Sequence, residues 1–573
     1  AFKLLECSLD APSLPHTATL EDLTDGCWEA ALIGNYLICS TWLTSACPAL
    51  LRCPVVIFAG SPVDGPVANK PELPASWHVQ DTFKLPLPYG CAHAKFFVLF
   101  ARRGVRVIVH TANLHYHDVR DMTQGIWFQD FPRKAGSAAP ECQFESVLWQ
   151  FVREIWTPDE HKRRGLWVPG VLGAVERSDV AATAVACADQ GPLEPEPEGQ
   201  RVWWLSPDLI RAFDFSTASA YLLASVPGAH KASEFGALQV ASLLELDPSL
   251  GSLCANSDKV VMAFSAFAST SHLDHLERCL SASPTTRGSL YQTLPVRIVW
   301  PTMAEVENSH IRWDSAASMP SKSDDVAKLS RKLCHKLCRW TSDRGHTLGR
   351  ESVMPHMKSY CRYDPETHAL RWVILTSANM SGSAWGAMNK GREQVVRSFE
   401  LGVLVTPATA ARLAVEDTPF NCQASGPRHT HDGSSLPASA SHHRATISAV
   451  CLLPADNFAG QGARGAKEAG SAPSLSSPVL VPLPYAIPPA EYRGSTTAPQ
   501  GGQVVDEFYA RDRVEQQQLM YEIYAADHHP PVKSRLFKYG RDASGVQQRT
   551  YVMATASVDP GTRKLRPHWG RPI

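Results

Sequence analysis

The sequence predicts an α/β protein built from two similar halves. Short and nearly continuous apolar runs, such as residues 55–60, are typical of strands that are buried on both faces of a sheet. Segments with helical spacing of apolar residues, at 141–156, 325–340 and 506–524, alternate with such runs. A His-x-Lys pattern followed by an Asn occurs once in each half. Interleaved strands and helices with an internal repeat favour two layered α/β domains.

Further strand-like runs follow along the chain, at residues 96–101, 105–111, 201–205, 261–264, 294–300, 371–376 and 399–405. The spacing of the repeat predicts a first domain at 1–225 and a second at 226–505. Residues 423–475 are rich in Ser, Ala, Gly and His and have few large apolar side chains to offset the entropy cost of ordering, so we expect a disordered insertion there. Residues 506–573 form a C-terminal extension of mixed charge, to which the sequence assigns no role.

Composition limits the class of protein. The 573 residues include 55 Lys and Arg against 56 Asp and Glu, so attraction to nucleic acid has to come from a local cleft rather than from net charge. No apolar run reaches the roughly 18 residues needed to cross a bilayer, so we expect no membrane segment. Fifteen Cys without a compact spacing favour free thiols in a reducing compartment. Because the chain begins with Ala-Phe-Lys rather than Met, we expect a fragment.

The repeated pattern provides the candidate catalytic side chains. They are His93, Lys95 and Asn113 in the first copy, and His356, Lys358 and Asn379 in the second. Seventeen residues separate the Lys from the Asn in the first copy and 20 in the second, and the copies end in Thr-Ala-Asn-Leu and Ser-Ala-Asn-Met. A single His-x-Lys arises easily by chance, whereas two copies with matched Asn residues favour a functional site.

Strand geometry is expected to bring each set together. Residues i and i+2 of a strand lie on the same face, so each His projects beside its Lys. In the first copy, a hairpin with its turn at 102–104 pairs Ala101 with Val105, which places Asn113 beside the His. In the second copy, the turn-prone stretch 364–368 lies midway between the His and the Asn. A change of register by one residue would still return an Asn beside each His.

These side-chain types suit phosphoryl transfer. Two Lys charges and two Asn amides can bind nonbridging oxygens and stabilise the charge of a pentacovalent transition state in place of a metal ion. An imidazole attacks phosphorus when neutral and donates a proton when protonated, so two His in unlike environments can divide these roles. The sequence therefore predicts phosphoryl transfer that needs no metal and no cofactor.

At these residues the sequence resembles the tyrosyl-DNA phosphodiesterases, a branch of the phospholipase D superfamily. The Asp that the superfamily motif has six residues after its start is absent, and an Asn lies downstream instead. Shared phrases include Pro-Tyr-Gly at 88–90, Thr-Gln-Gly-Ile-Trp at 123–127 and Ser-Ala-Asn-Met-Ser at 377–381. The resemblance spans approximately residues 30–490. It implies two phospholipase D-like α/β/α sandwich domains related by pseudo-twofold symmetry, with the active site at their interface.

The resemblance also implies roles for the site residues. His93 is the nucleophile that forms a phosphohistidine, and His356 is the general acid that later activates water, while the Lys and Asn residues hold the phosphoryl oxygens. Gln124 and Glu400 match the positions that orient the two His side chains, but the match does not say which orients which. The alternative is that both are polar residues satisfied at strand ends.

DNA contacts are implied at four further positions. Tyr89 matches an aromatic residue that can stack on a base, and Tyr36 is a second aromatic candidate. Ser265 and Ser381 can donate hydrogen bonds to backbone phosphates, which position DNA without reading its sequence. For Tyr89 the alternative is a place in the hydrophobic core.

The activity that the resemblance implies is hydrolysis of a tyrosyl or topoisomerase I peptide adduct at the 3′ end of single-stranded or duplex DNA. A monomer would act, without a membrane, in the nucleus, with the cytoplasm or mitochondrion as alternative locations. Two other functions stay open: another phosphodiesterase of the superfamily, such as a nuclease or lipase, and an inactive scaffold that binds DNA ends. Two intact His-Lys pairs argue against the scaffold, because binding alone requires no pair of His residues.

Overall fold

The computed structural model describes residues 1–10, 14–64, 73–81, 83, 85–134, 142–156, 166–169, 202–205, 207–231, 233–251, 253–265, 272–286, 293–312, 314–315, 333–341, 348–414, 447–450, 479–492, 538–541, 547–550, 557–558 and 565–566. Two large sheets organise these residues, one in each half of the chain. None of the helices among the described residues is long and apolar enough to cross a bilayer.

The first sheet has eight strands. They are β1 Phe2–Leu5, β2 Thr17–Ala18, β3 Ala30–Asn35, β4 Val55–Ala59, β5 Trp77–Gln80, β6 Phe96–Ala101, β7 Gly104–His110 and β8 Gly125–Pro132. Their order is β2-β1-β8-β7-β6-β3-β4-β5. Along β6, alternate side chains enter two different cores, with Phe96 and Val98 on one face and Phe97 and Leu99 on the other. Burial of both faces explains why this strand is an unbroken apolar run.

The second sheet repeats this arrangement. The strands in this part of the chain, some of which form separate small sheets, are β9 Leu166–Pro169, β10 Val202–Leu205, β11 Tyr221–Ser225, β12 Gly228–His230, β13 Lys259–Ala263, β14 Val296–Val299, β15 Leu337–Cys338, β16 Ser359–Tyr363, β17 Ala369–Thr376, β18 Ala387–Met388, β19 Gln394–Val396, β20 Glu400–Val405, β21 Ile447–Val450 and β22 Val479–Pro482. The main order is β11-β20-β17-β16-β13-β14-β15. This order and the senses of pairing match β1-β8-β7-β6-β3-β4-β5 strand for strand. The prediction of two similar α/β halves is confirmed.

Several of the remaining strands form smaller sheets. β12, β19 and β18 form a three-stranded sheet, and β9 pairs with β10. In the C-terminal extension, β23 Lys538–Arg541 pairs with β24 Gln547–Thr550, and β25 Ser557–Val558 pairs with β26 Leu565–Arg566. The role of this extension is unassigned.

The helices are short. The α-helices are α1 Leu20–Thr24, α2 Ser40–Ala46, α3 Tyr116–Arg120, α4 Gln143–Ile155, α5 Gly236–Leu246, α6 Leu273–Leu280, α7 Met303–Glu307, α8 Gly382–Trp385 and α9 Pro407–Ala414. The 3-10 helices are Pro48–Arg52, Pro207–Ala212, Pro248–Leu250, Pro284–Thr286 and Cys334–Lys336. In α4, Phe144, Leu148 and Phe151 point into the core that continues from the first sheet to the second. This shared core joins the two halves.

Several predicted elements differ from those observed. The helix expected at 325–340 is wrong where the structure describes it, because Cys334–Lys336 is a 3-10 turn and Leu337–Cys338 is a strand paired with Ile298–Val299. The expected helix at 506–524 lies outside the described residues. Within the predicted insertion 423–475, Ile447–Val450 forms β21, and the remainder lies outside the described residues.

The boundary between the halves stays a proposal. We predicted it near residue 225, and the structure places Tyr221–Ser225 in the second sheet, antiparallel to Glu400–Val405. The second sheet therefore takes in the last five residues before the proposed boundary.

Candidate active site

The two His-Lys pairs stand at the starts of corresponding strands. His93 and Lys95 immediately precede β6, and His356 and Lys358 immediately precede β16. Both Lys side chains are completely buried. The Lys95 ammonium donates a hydrogen bond of 2.9 Å to the carbonyl of His93, and Lys358 donates in the same way to the carbonyl of His356. The repeat in the sequence is therefore a repeat in local structure.

Each His is attached to the opposite half by backbone hydrogen bonds. The amide of His93 donates to the carbonyl of Phe399 at 2.9 Å, and the amide of His356 donates to the carbonyl of Thr123 at 3.0 Å. Parallel bridges between Ala92 and Phe399 and between Thr123 and Pro355 accompany these bonds. The main chain thus fixes both His residues across the interface between the halves.

Glu400 of the second half holds His93 of the first. One carboxylate oxygen of Glu400 lies 2.9 Å from Nδ1 of His93 and accepts a 2.5 Å hydrogen bond from the Ser377 hydroxyl. Burial lowers the pKa of His93, and the pKa of Glu400 is lowered because the imidazole and Lys95 favour its ionised form. His93 is consequently neutral near pH 7, with Nδ1 held by a carboxylate and Nε2 available as a nucleophile.

Gln124 and Asp118 of the first half contact His356 of the second. Nδ1 of His356 lies 3.2 Å from the amide nitrogen of Gln124 and 2.9 Å from the carboxylate of Asp118. Burial lowers the pKa of His356 to about 3. The pKa of Asp118 is lowered by His356 and by the amide of Asn113, so this carboxyl is ionised. The structure resolves the choice left open by the sequence: Glu400 contacts His93 and Gln124 contacts His356.

Sequence reasoning missed the contact of Asp118. The position that corresponds to Asp118 in the second copy, five residues after the Asn, is Ala384. A search based on the repeat therefore cannot find Asp118. The available signal was its place in the short helix that follows Asn113.

The two Asn side chains have different surroundings. The Asn379 carbonyl oxygen accepts hydrogen bonds from the amide and hydroxyl of Ser265 at 3.1 and 3.2 Å, which leaves its NH₂ group for another acceptor. The Asn113 carbonyl oxygen is buried and has no hydrogen-bond partner among the described residues. Among the contacts described, only the side-chain amide of Asn379 is fixed by a neighbouring residue, so the expected position of each Asn beside its His stays a prediction.

The charged groups around the two His residues act on both imidazoles, across the interface between the halves. Lys358 lowers the pKa of His93, and Lys95 lowers the pKa of His356. Burial lowers the pKa of Lys95 to about 8 and that of Lys358 well below its usual value. A bound phosphodiester anion would favour the charged forms of these Lys residues and of the imidazoles. In the described part of the chain, no three His, Cys, Asp or Glu side chains are grouped to hold a metal ion.

The four predicted DNA contacts differ in exposure. Tyr89 is 92% exposed with a φ of 62°, so the alternative of a core position is wrong. The Tyr36 ring lies 5.3 Å from that of His93 and 5.9 Å from the Lys95 ammonium. Ser265 is buried against Asn379, and the half-buried Ser381 accepts a 3.1 Å hydrogen bond from the amide of Ala384. Contact of these residues with DNA stays a prediction.

Comparison with known proteins identifies the family. The family model described as tyrosyl-DNA phosphodiesterase matches residues 7–186 and 201–493. The chain belongs to the tyrosyl-DNA phosphodiesterase family. The tyrosyl-DNA phosphodiesterase 1 of Arabidopsis thaliana is 30% identical over 438 residues, which are 74% of this chain and 64% of that protein. The protein of the same name from Drosophila melanogaster is 26% identical, over 69% of this chain and 64% of its own length. The chain therefore spans less than two thirds of these relatives.

Solved structures of the tyrosyl-DNA phosphodiesterase family show the same fold. A crystal structure of a variant of the yeast tyrosyl-DNA phosphodiesterase is similar with a TM-score of 0.51 and 14% identity, covering 71% of this chain and 88% of that one. The predicted fold class is thus confirmed for this member of the family.

Proposed function

We propose that the chain is a DNA repair enzyme that hydrolyses the bond between a tyrosine and the phosphate at a DNA 3′ end. The main observation behind this proposal is that each half of the chain holds the His residue of the other half. Each Nδ1 is held by side chains of the opposite half, beside two buried Lys residues. Two imidazoles with different partners are what a two-step displacement at phosphorus requires.

In the first step, Nε2 of neutral His93 attacks phosphorus, and the bond to the tyrosine oxygen breaks. Protonated His356 donates its Nε2 proton to the departing phenolate, so that tyrosine leaves as a neutral phenol. The phosphate anion offsets part of the desolvation that lowers the pKa of His356 in the free protein. Lys95, Lys358 and the Asn amides stabilise the charge on the nonbridging oxygens.

In the second step, the same groups hydrolyse the phosphohistidine. Nε2 of His356, now unprotonated, takes a proton from water as the water oxygen bonds to phosphorus. The bond between phosphorus and His93 breaks, which returns the imidazole and leaves a 3′-phosphate. Glu400 keeps the His93 ring oriented through both steps because its carboxylate accepts the Nδ1 proton at 2.9 Å.

The chemistry of the substrate also leads to proposals about the biological target and the cellular location. A tyrosine on a DNA 3′ end is the adduct that a stalled type I topoisomerase leaves, so we propose trapped topoisomerase I and other blocked 3′ ends as substrates. The name shared by the relatives supports the tyrosyl-DNA bond as the target. Because one chain supplies both His-Lys-Asn sets, a monomer suffices. We propose the nucleus as the location, where this DNA damage arises.

The decisive assay uses an oligonucleotide with a 3′-phosphotyrosine in the presence of a chelator. The proposal predicts conversion to a 3′-phosphate by the parent chain, loss of conversion by His93→Ala, and full conversion by His335→Ala, which removes an exposed imidazole. Plasmid DNA and phosphatidylcholine are assayed in parallel. Cleavage of either of these with an intact tyrosyl substrate would favour a nuclease or lipase, and tight binding of the 3′ end without conversion would favour a scaffold.

A further inference from the structure

We propose that Asp118 is the positioning residue that keeps His356 able to exchange protons, a role for which the sequence pattern suggested Gln124 or Glu400 alone. The inference rests on the proposed function and names the group that supports the acid and base of both steps. The first half would then supply a carboxylate to the His of the second half, just as Glu400 supplies one in the opposite direction.

The geometry defines the proton on Nδ1. The Asp118 carboxylate is 2% exposed, lies 2.9 Å from Nδ1 of His356 and also accepts a hydrogen bond from the backbone amide of Asn113. Since an ionised carboxylate only accepts hydrogen bonds, Nδ1 must carry the proton of this contact. The proton that moves during catalysis is therefore on Nε2, the ring nitrogen that faces away from Asp118.

Gln124 cannot replace Asp118 in this role. Its side-chain oxygen accepts a 2.7 Å hydrogen bond from Thr111, and its amide nitrogen donates to the carbonyl of Asp118 at 3.0 Å. The same nitrogen lies 3.2 Å from Nδ1 of His356, but two donors cannot share one hydrogen bond. Gln124 therefore packs beside the ring and holds the segment of Asp118, while the carboxylate fixes the tautomer.

The charge of Asp118 acts in the direction that this assignment requires. Burial, Lys358 and Lys95 all lower the pKa of His356, whereas Asp118 raises it through its charge and its hydrogen bond. Asp118 thus opposes the effect of the two ammonium groups on the pKa of His356. Without it, His356 would be protonated even more rarely at neutral pH, and the leaving tyrosine would receive its proton more slowly.

The test compares two leaving groups. The tyrosine phenol has a pKa of about 10 and needs a proton when it leaves, whereas the far more acidic p-nitrophenol leaves as an anion. We expect Asp118→Asn to slow single-turnover release of tyrosine from a 3′-phosphotyrosyl oligonucleotide by about 100-fold or more, the usual scale of general acid catalysis. Release of p-nitrophenol from the matching ester should fall less than 10-fold. The fall in rate with rising pH should also begin at lower pH in the variant for the tyrosyl substrate.

Glu400→Gln is the matched control, because it weakens support of the nucleophile and should slow both substrates by similar factors. Equal losses on both substrates for Asp118→Asn would show a merely structural role and overturn the inference. If the parent hydrolyses neither substrate, the proposed function itself fails. If the parent turns over both substrates and Asp118→Asn leaves the ratio of the two rates unchanged, the role proposed for Asp118 fails while the proposed function stands.

A second measurement protects the test against misfolding of the variant. Nitrogen NMR of the parent chain labelled at His reports which ring nitrogen of His356 carries the proton, and the His356→Ala variant assigns the signal. We expect the Nδ1–H tautomer at pH 7 and its loss in Asp118→Asn. The Nε2–H tautomer in the parent would overturn the inference whatever the variant does.

Discussion

His93 and His356 share a residue type but differ in their partners. His93 has one carboxylate at Nδ1, whereas His356 has a carboxylate and an amide. Both lie beside buried Lys residues, and burial lowers the pKa of both. An imidazole that is neutral near pH 7 suits the attack on phosphorus, while the acid needs the phosphate of the substrate to favour its protonated form. The division of roles therefore follows from neighbours that belong to the opposite half.

Substitution of the acid tests this division. In His356→Ala, no imidazole activates water, so the second step should slow more than the first and DNA should accumulate as an adduct on His93. An oligonucleotide labelled at its 5′ end and carrying a 3′-phosphotyrosine should migrate with the protein on a denaturing gel, and acid should release it. The double variant with His93→Ala should give no adduct. Absence of the adduct from His356→Ala, despite turnover by the parent, would contradict the assignment.

His110 provides a test of pH-dependent stability. This buried His stacks on Phe97 at a ring distance of 5.5 Å, and its ring nitrogens have no hydrogen-bond partner among the described residues. Burial lowers its pKa to about 3. The unfolded chain takes up the proton below pH 6.5, so its contribution to stability is complete above pH 6.5 and is lost as pH falls towards 3, by about 1.4 kcal/mol per pH unit.

Replacement of His110 by Phe removes this titration. Between pH 7.5 and pH 5, the free energy of unfolding should fall by about 2 kcal/mol less in His110→Phe than in the parent. Urea denaturation at the two pH values measures both changes. Equal losses in the two proteins would show that the imidazole is protonated in the folded chain.

At the scale of elements, the two hairpins show what sequence patterns determine. Apolar runs predict the strands β6 and β7 well, because both faces of these strands are buried. The register is displaced by one residue, with Ala101 opposite Gly104 rather than Val105. A turn of two residues, Arg102 and Arg103, replaces the expected turn of three. Period-two alternation fixes which side chains share a face, but the length of the turn fixes the register.

Other features lay beyond sequence reasoning for identifiable reasons. The apolar residues near Leu337 fit helical spacing, but pairing with Ile298–Val299 makes this segment a strand, and that neighbour is distant in the chain. The repeat predicted the six His, Lys and Asn residues of the site. It could not predict Asp118, whose counterpart in the second half is Ala384 and whose contact is with the other half.

Gly60, which follows strand β4, lies very close to the segment that precedes His93. A Cβ added at Gly60 would lie 1.9 Å from the carbonyl oxygen of Ala92, the residue before His93. Gly60→Ala should therefore displace the nucleophile segment and destabilise the fold by about 1–3 kcal/mol, as overpacking usually does. Single-turnover rates and thermal unfolding measure the two effects. The control is Gly251→Ala, whose added Cβ has its nearest contact at 3.6 Å, and equal behaviour of both variants would contradict the expectation.

At the scale of the whole molecule, polar contacts join the chain start to the segment before His356. The completely buried Arg350 donates hydrogen bonds to the carbonyl of Leu5 at 3.1 Å and to the carboxylate of Asp10. The Arg350 guanidinium also contacts the thiol of Cys7. A buried ion pair of this kind costs most when one partner alone is removed, because the other charge is left in a medium of low dielectric constant.

Substitution of Asp10 measures how much the Arg350–Asp10 ion pair contributes to stability. Asp10→Ala should lower the free energy of unfolding by about 3–5 kcal/mol, because the Arg350 guanidinium stays buried without its counterion. Arg120, which pairs with Glu6 and Glu21 in a half-exposed position, is the matched control, and Arg120→Ala should cost less than about 1 kcal/mol. Chemical denaturation compares the two. A small loss in Asp10→Ala would mean that the pair contributes little to joining the halves.

The backbone bridges at Ala92–Phe399 and Thr123–Pro355 make the function of either half depend on the presence of the other. A half on its own would carry an imidazole, an ammonium and an amide but would lack the carboxylate that its imidazole uses. Two separated halves would have to associate before either imidazole met its carboxylate, Glu400 for His93 and Asp118 for His356.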